Sequence, residues 1–169
     1  LAHERVLVHS GRALALLGRA LTRYATDPQD LDARLDAQMG AWLASMGIRR
    51  TEYGASHGLG HALGADSGVP HGITSCVLLP TVMRWNATVC APQLAEVAAA
   101  LGDASKPAAD QVEALIARLG LPTRIGQLGI ARSRLPVLAE KGLAIPWVRT
   151  NPRKIERAEQ LVEILEAAW

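Results

Sequence analysis

A chain of 169 residues, 49% of them apolar, is long enough to bury a core and too apolar to stay disordered. Its apolar share comes from Ala and Leu, Phe is absent and aromatics make up 4%, which disfavours a β-sandwich and favours an all-helical fold. The net charge is +2, and the densest basic spots, Arg49-Arg50 and 149–154, lay out no stripe for a phosphate backbone, so nucleic acid is not expected as a partner.

Two cysteines, Cys76 and Cys90, without a CxxC pair, argue against a disulfide framework and suit a reducing cytoplasm. No apolar run is long enough to span a bilayer and no signal peptide leads in, so no membrane partner is expected. Residues 4–25 carry Val6, Leu7, Leu14, Leu17 and Leu21 at helical spacing, and Asp27-Pro28 ends that helix. The chain begins at Leu1 and enters this helix almost at once, as a piece cut from something larger would. Asp30 caps a second helix running to Gly47, with Leu31, Leu35, Met39, Trp42, Leu43 and Met46 along one face. Residues 51–65 form a shorter helix whose glycines, Gly54, Gly58, Gly60 and Gly64, each cost about 1 kcal/mol against Ala. Their retention implies something pressed against them, either backbone or ligand.

The stretch ADSGVPHG, 65–72, reads as a loop. Residues 72–87 then form a nearly all-apolar helix, too hydrophobic for a surface, with a kink expected at Pro80. Pro92 sits in the first turn of a helix ending at Gly102, and Pro107 opens another ending at Gly120. A turn-rich stretch at 121–130 precedes a helix over 133–143, an irregular segment over 144–154, and an amphipathic last helix that exposes its charges. Repeats and interdomain linkers are absent, so residues 1–169 read as one helical domain.

Three of the five histidines, His57, His61 and His71, fall within fifteen residues. His57 and His61 are four apart, which on a helix puts both rings on one face, a spacing that can share a metal. The residue after His57 is Gly58, so the Glu of a zinc-hydrolase HExxH motif is missing. A turn can fold His71 back to make a three-histidine cluster. From the residues alone, ligands, catalytic groups and ordinary packing all stay open. Asp66 is the one acid in that loop that could balance a cation's charge.

The run 56–86, SHGLGHALGADSGVPHGITSCVLLPTVMRWN, resembles the histidine signature of the iron-containing (group III) alcohol dehydrogenases. Its parts here are His57 to His61, Pro70-His71-Gly72, Leu79-Pro80 and Asn86. LDAR at 31–34, LPTRIGQLGI at 121–130 and TNPRK at 150–154 also agree, so the resemblance covers essentially the whole chain. It implies the all-helical, C-terminal, metal-binding part of the dehydroquinate synthase-like fold. The N-terminal domain that would bind NAD or NADP is missing from this chain, which has no Gly-rich phosphate loop after a strand. It also implies a divalent metal, Fe2+ or Zn2+, acting as Lewis acid while hydride passes between the nicotinamide and an alcohol, aldehyde or ketone. Carried over residue by residue, His57 and His71 correspond to metal ligands. His61 corresponds to the catalytic histidine beside the cofactor and substrate, placed to relay the proton. Trp85 and the apolar helix would wall off water, or Trp85 is a plain core aromatic. A cytoplasmic homodimer is implied for the intact enzyme.

One departure is serious. The family's other two ligands lie in an Asp-x-x-x-His pair on an upstream helix. His3 has no residue four before it and His9 has Arg5 there, so both read as helix-surface residues. The resemblance places the missing pair before Leu1, leaving two of four ligands, and the chain alone is expected to be inactive. Three alternatives remain. One is a non-catalytic helical remnant serving as an interaction module. Another is a maleylacetate or phosphonoacetaldehyde reductase, although the first is disfavoured by the lack of a Pro-His-Ala-Glu-Thr pattern. The third is a dehydroquinate synthase-like lyase.

Overall fold

The computed structural model describes residues 2–48 and 51–169, with side chains from His9 onward. The readings of His3 as a surface residue and of Arg49-Arg50 as a basic spot lie outside the described side chains. The described residues form helices joined by turns and irregular segments, without strands, and sort into two compact units.

The first unit comprises residues 1–52 and 92–119. It holds α1 (Ala2–Thr26), α2 (Leu31–Ser45), α6 (Ala108–Arg118) and all but the first residue of α5 (Ala91–Leu101). Asp30 caps α2 as expected, its carboxylate accepting the Ala33 N–H at 2.9 Å, and Arg23 clasps the same carboxylate at 3.0 Å. The face of α2 that turns inward is not the one its large apolar residues occupy. Leu31, Leu35, Met39, Trp42 and Met46 are 75, 57, 44, 59 and 44% exposed. The buried residues are Ala33 and Gly40, small enough for close packing on α1. A Cβ added at Gly40 would lie 2.8 Å from Leu17 Cγ, so the helices meet backbone to side chain. In the α5–α6 turn, the two protons of Gln111 Nε2 are shared among the carbonyls of Asp103 at 2.6 Å, Lys106 at 3.1 Å and Ala98 at 3.3 Å, closing it.

The second unit comprises residues 53–91 and 120–169. It holds α3 (Ala55–Ser67), α4 (His71–Asn86), α7 (Leu135–Leu143), a one-turn α8 (Pro146–Arg149) and α9 (Ala158–Ala168). Its core joins Leu59 and Leu63 of α3, Val77 and Leu78 of α4, Leu135 and Leu138 of α7, and Leu161, Ile164 and Leu165 of α9. The last helix is amphipathic as expected, with Glu159 and Glu163 on its exposed face. It begins four residues later than the periodicity suggests. α4 runs unbroken through Pro80.

Two local differences matter for the site. The predicted loop over 65–72 shrinks to three residues. α3 continues to Ser67, Gly68 takes the left-handed conformation (φ 66°) that ends it, and His71 opens α4. The segment expected to be irregular contains α8, whose Val148 is fully buried.

Candidate metal centre

The start of α3 is held by residues far along the chain. Gly54 occupies the cap position and has no side chain to offer. Asn151, fully buried, supplies the missing acceptor, taking the Ala55 N–H at 3.0 Å. The Asn151 amide in turn donates to Asn86 Oδ1 at 2.7 Å and to the Arg153 carbonyl at 2.7 Å. Thr150 Oγ1 lies 2.7 Å from the Tyr53 carbonyl and 2.9 Å from that of Trp147, so its one proton serves either. The Thr-Asn-Pro-Arg stretch is thus a latch on the entry to α3.

The glycines of α3 are in contact with protein. A Cβ at Gly58 would sit 2.6 Å from Val148 Cγ2, and one at Gly60 would sit 3.0 Å from Thr74 Oγ1. Gly58 therefore seats α8 on α3, and Gly60 admits α4. The sequence left backbone or ligand open here; at Gly58 and Gly60 the nearest atoms are side chains, Val148 and Thr74. The same contacts place the histidines: α3 carries His57 and His61 one turn apart, and the short Gly68–Pro70 turn folds the first residue of α4, His71, back beside them.

The ring centroids of His57 lie 4.8 Å from His61 and 4.8 Å from His71, with 5.3 Å between His61 and His71. One nitrogen from each ring can be chosen so that all three lie within 4.8 Å of one another. Nitrogens sharing an ion at about 2.1 Å can be no more than about 4.2 Å apart, so side-chain adjustments of about half an ångström complete the approach. His57 is half-buried, while His61 and His71 are exposed. Burial, followed by the neighbouring His61 and His71, pushes the His57 pKa below the usual imidazole value, which favours the neutral, ligating form. Three imidazoles fit part of a coordination shell for Fe2+ or Zn2+ and leave positions open. The cluster contains no carboxylate to offset the ion's charge.

Asp66 does not belong to this cluster. Its carboxylate, 6% exposed, is bound by Arg134 at 2.7 Å and by Lys141. The Lys141 hydrogen bond, with help from Arg134, holds it below the usual carboxylate range. His9 is half-buried on α1 in the other unit. Trp85 packs against the core under the Arg153 guanidinium, 3.6 Å from its ring centroid, and its ring is not among those touching the histidines. The aromatic neighbours are two residues that the sequence reading passed over. Tyr53 stacks on His57 at 4.3 Å with 10° between planes. Trp147 meets His57 at 5.0 Å and His61 at 4.9 Å, edge to face. Tyr53 could have been flagged as four residues before His57. Trp147 lies ninety residues away from His57 and carries no local signal.

Residues 8–169 match the model of the Fe-containing alcohol dehydrogenase family, C-terminal part. The chain belongs to the iron-containing alcohol dehydrogenase family. It is similar to lactaldehyde reductase of Escherichia coli K12, 32% identical over 83% of this chain and 39% of that one. It is also similar to maleylacetate reductase of Burkholderia cepacia, 33% identical over 99% of this chain and 49% of that one. Among solved structures, 1,3-propanediol oxidoreductase superposes with a TM-score of 0.90 at 26% identity, covering 97% of this chain and 45% of that one. An iron-containing alcohol dehydrogenase from Corynebacterium glutamicum gives a TM-score of 0.85 at 27% identity, with coverages of 96% and 45%. The chain thus spans half or less of the length of these relatives. Its family is one of alcohol and aldehyde oxidoreductases, maleylacetate reductase among them, and its all-helical fold is that of their C-terminal part. No helix among the described residues is long and apolar enough to cross a membrane.

Proposed function

We propose that residues 1–169 are the metal-bearing helical part of an oxidoreductase that passes hydride between NAD or NADP and a small alcohol, aldehyde or ketone. The observation that carries this reading is the convergence of His57, His61 and His71 from two helices onto one point, in a chain of this family. His57 and His71 would hold a divalent ion, Fe2+ or Zn2+, which when bound supplies Lewis acidity to the substrate oxygen. His61, at the exposed edge of the cluster, would face the nicotinamide and carry the substrate's hydroxyl proton on a ring nitrogen. The cofactor would be held by an N-terminal nucleotide-binding domain of the kind the family pairs with this one, in a cytoplasmic homodimer.

The test joins this chain to such a domain together with the upstream segment carrying the Asp-x-x-x-His pair, and follows NADH or NADPH oxidation with a simple aldehyde. Turnover and bound metal are both expected to vanish in the His57→Ala/His71→Ala variant. Turnover that survives this double change, or is absent from the metal-loaded parent, refutes the reading. The 169-residue chain alone is expected to bind divalent metal weakly. Tight one-to-one binding lost with His61→Ala would make His61 a third ligand instead of a relay. A maleylacetate reductase-type reaction is the second reading: the Burkholderia cepacia enzyme is 33% identical, although this chain lacks the Pro-His-Ala-Glu-Thr pattern.

A further inference from the structure

We propose that Tyr53 and Trp147 are positioning residues that lock the three imidazoles into one arrangement before any ion or substrate arrives. The proposal deepens the reading of the histidines as a metal centre and rests on it for its purpose, though its test does not need a metal. Among the described residues, no hydrogen bond or ion pair holds any of the three imidazole rings. A ligating histidine is ordinarily oriented by an acceptor on its second nitrogen. Here the contacts made to two of the rings are aromatic.

The frame is well anchored on both sides. Tyr53 lies nearly parallel to His57, 10° off, which covers one face of that ring. Trp147 stands at 64° to His57 and 69° to His61, so one indole braces both imidazoles. The two aromatics also touch each other, at 5.2 Å and 65°, closing a Tyr–Trp bracket around His57. Offset-stacked and edge-to-face contacts are the favoured aromatic geometries. Each arm is fixed to the backbone. The Tyr53 carbonyl is within reach of the Thr150 hydroxyl, and α8, which carries Trp147, is seated on Gly58 through Val148. Among the described residues, the rings that meet His71 are those of His57 and His61. Its place therefore depends on theirs. Reordering exposed rings at each binding event costs entropy that a preset frame avoids.

The experiment is ring-proton NMR on the metal-free 169-residue chain. In the wild type, His57 ring protons are expected upfield of free histidine because of the Tyr53 ring current. Cross-relaxation peaks should link the His57 ring with those of His61 and His71. Tyr53→Leu and Trp147→Leu are expected to lose these inter-histidine peaks while circular dichroism stays helical. Tyr53→Phe, which keeps the stack, is expected to restore them. A wild-type spectrum lacking the upfield shift and the peaks overturns the proposal without any variant. Peaks retained in both leucine variants overturn it equally. The metal and turnover measurements of the previous section are separate, so a true bracket around a non-metal cluster would remain distinguishable.

Discussion

Replacing Asn151 with Ala should loosen the entry to α3 and with it the histidine cluster. Asn151 is fully buried and makes four short amide contacts: it accepts from Ala55 N–H at 3.0 Å and from Asn86 Nδ2 at 3.3 Å, and donates to Asn86 Oδ1 and the Arg153 carbonyl, both at 2.7 Å. Truncation strands these partners unequally. Ala55 is fully buried, so its N–H bears a full desolvation penalty of about 1–3 kcal/mol, comparable with losing a strong N-cap. Asn86 and Arg153 are half-buried, and water reaching them limits their share to about 1 kcal/mol. The expected loss is about 3 kcal/mol, a large fraction of ordinary domain stability. Urea unfolding followed by circular dichroism measures it. Native-state hydrogen exchange at Ala55 and His57 locates it, since the opening should appear first at the start of α3. A loss under about 1 kcal/mol with unchanged protection at Ala55 would refute the view of Asn151 as a cap supplied from afar.

Gly58→Ala should destabilise by about 1–2 kcal/mol, overpacking against Val148 outweighing the better helix propensity, and adding Val148→Ala should recover most of it in a double-mutant cycle. Asp66 gives a pH test. Its native pKa lies below the ordinary 3.8, so the unfolded chain takes up the proton first. Its contribution, about 1 kcal/mol by analogy with measured ion pairs, is present above about pH 4 and lost as pH falls through the native pKa. The stability gap between wild type and Asp66→Asn, measured by thermal unfolding, should therefore shrink as pH falls below the ordinary carboxylate pKa. On α2, Leu35→Ser and Trp42→Ser should shift urea midpoints by less than about 0.5 kcal/mol equivalent, because both side chains are exposed. Ala33→Leu, on the buried face, should cost more than about 1 kcal/mol.

Composition and apolar spacing sufficed for the all-helical class, for nearly every helix, for the cap at Asp30 and for the helix start at Pro107, because these depend on residues within a turn or two of one another. The pairing of His57 with His61 was equally local, being one helical turn. The glycines announced a close approach, since four of them in a short helix have few other reasons to persist. What pressed on them could not be read. Val148 against Gly58 and Thr74 against Gly60 are choices of tertiary packing between helices. For the same reason α2 presented a large apolar face that periodicity would bury, while packing on α1 selected the small one: close helix approach rewards Ala33 and Gly40 over Leu35 and Trp42. Asp66 looked like a possible counter-charge, and only the fold showed that Arg134 and Lys141 take it. Tyr53 and Trp147 are the clearest case. An aromatic bracket around His57 exists only once α8 returns to α3, a contact spanning some ninety residues that no local pattern encodes.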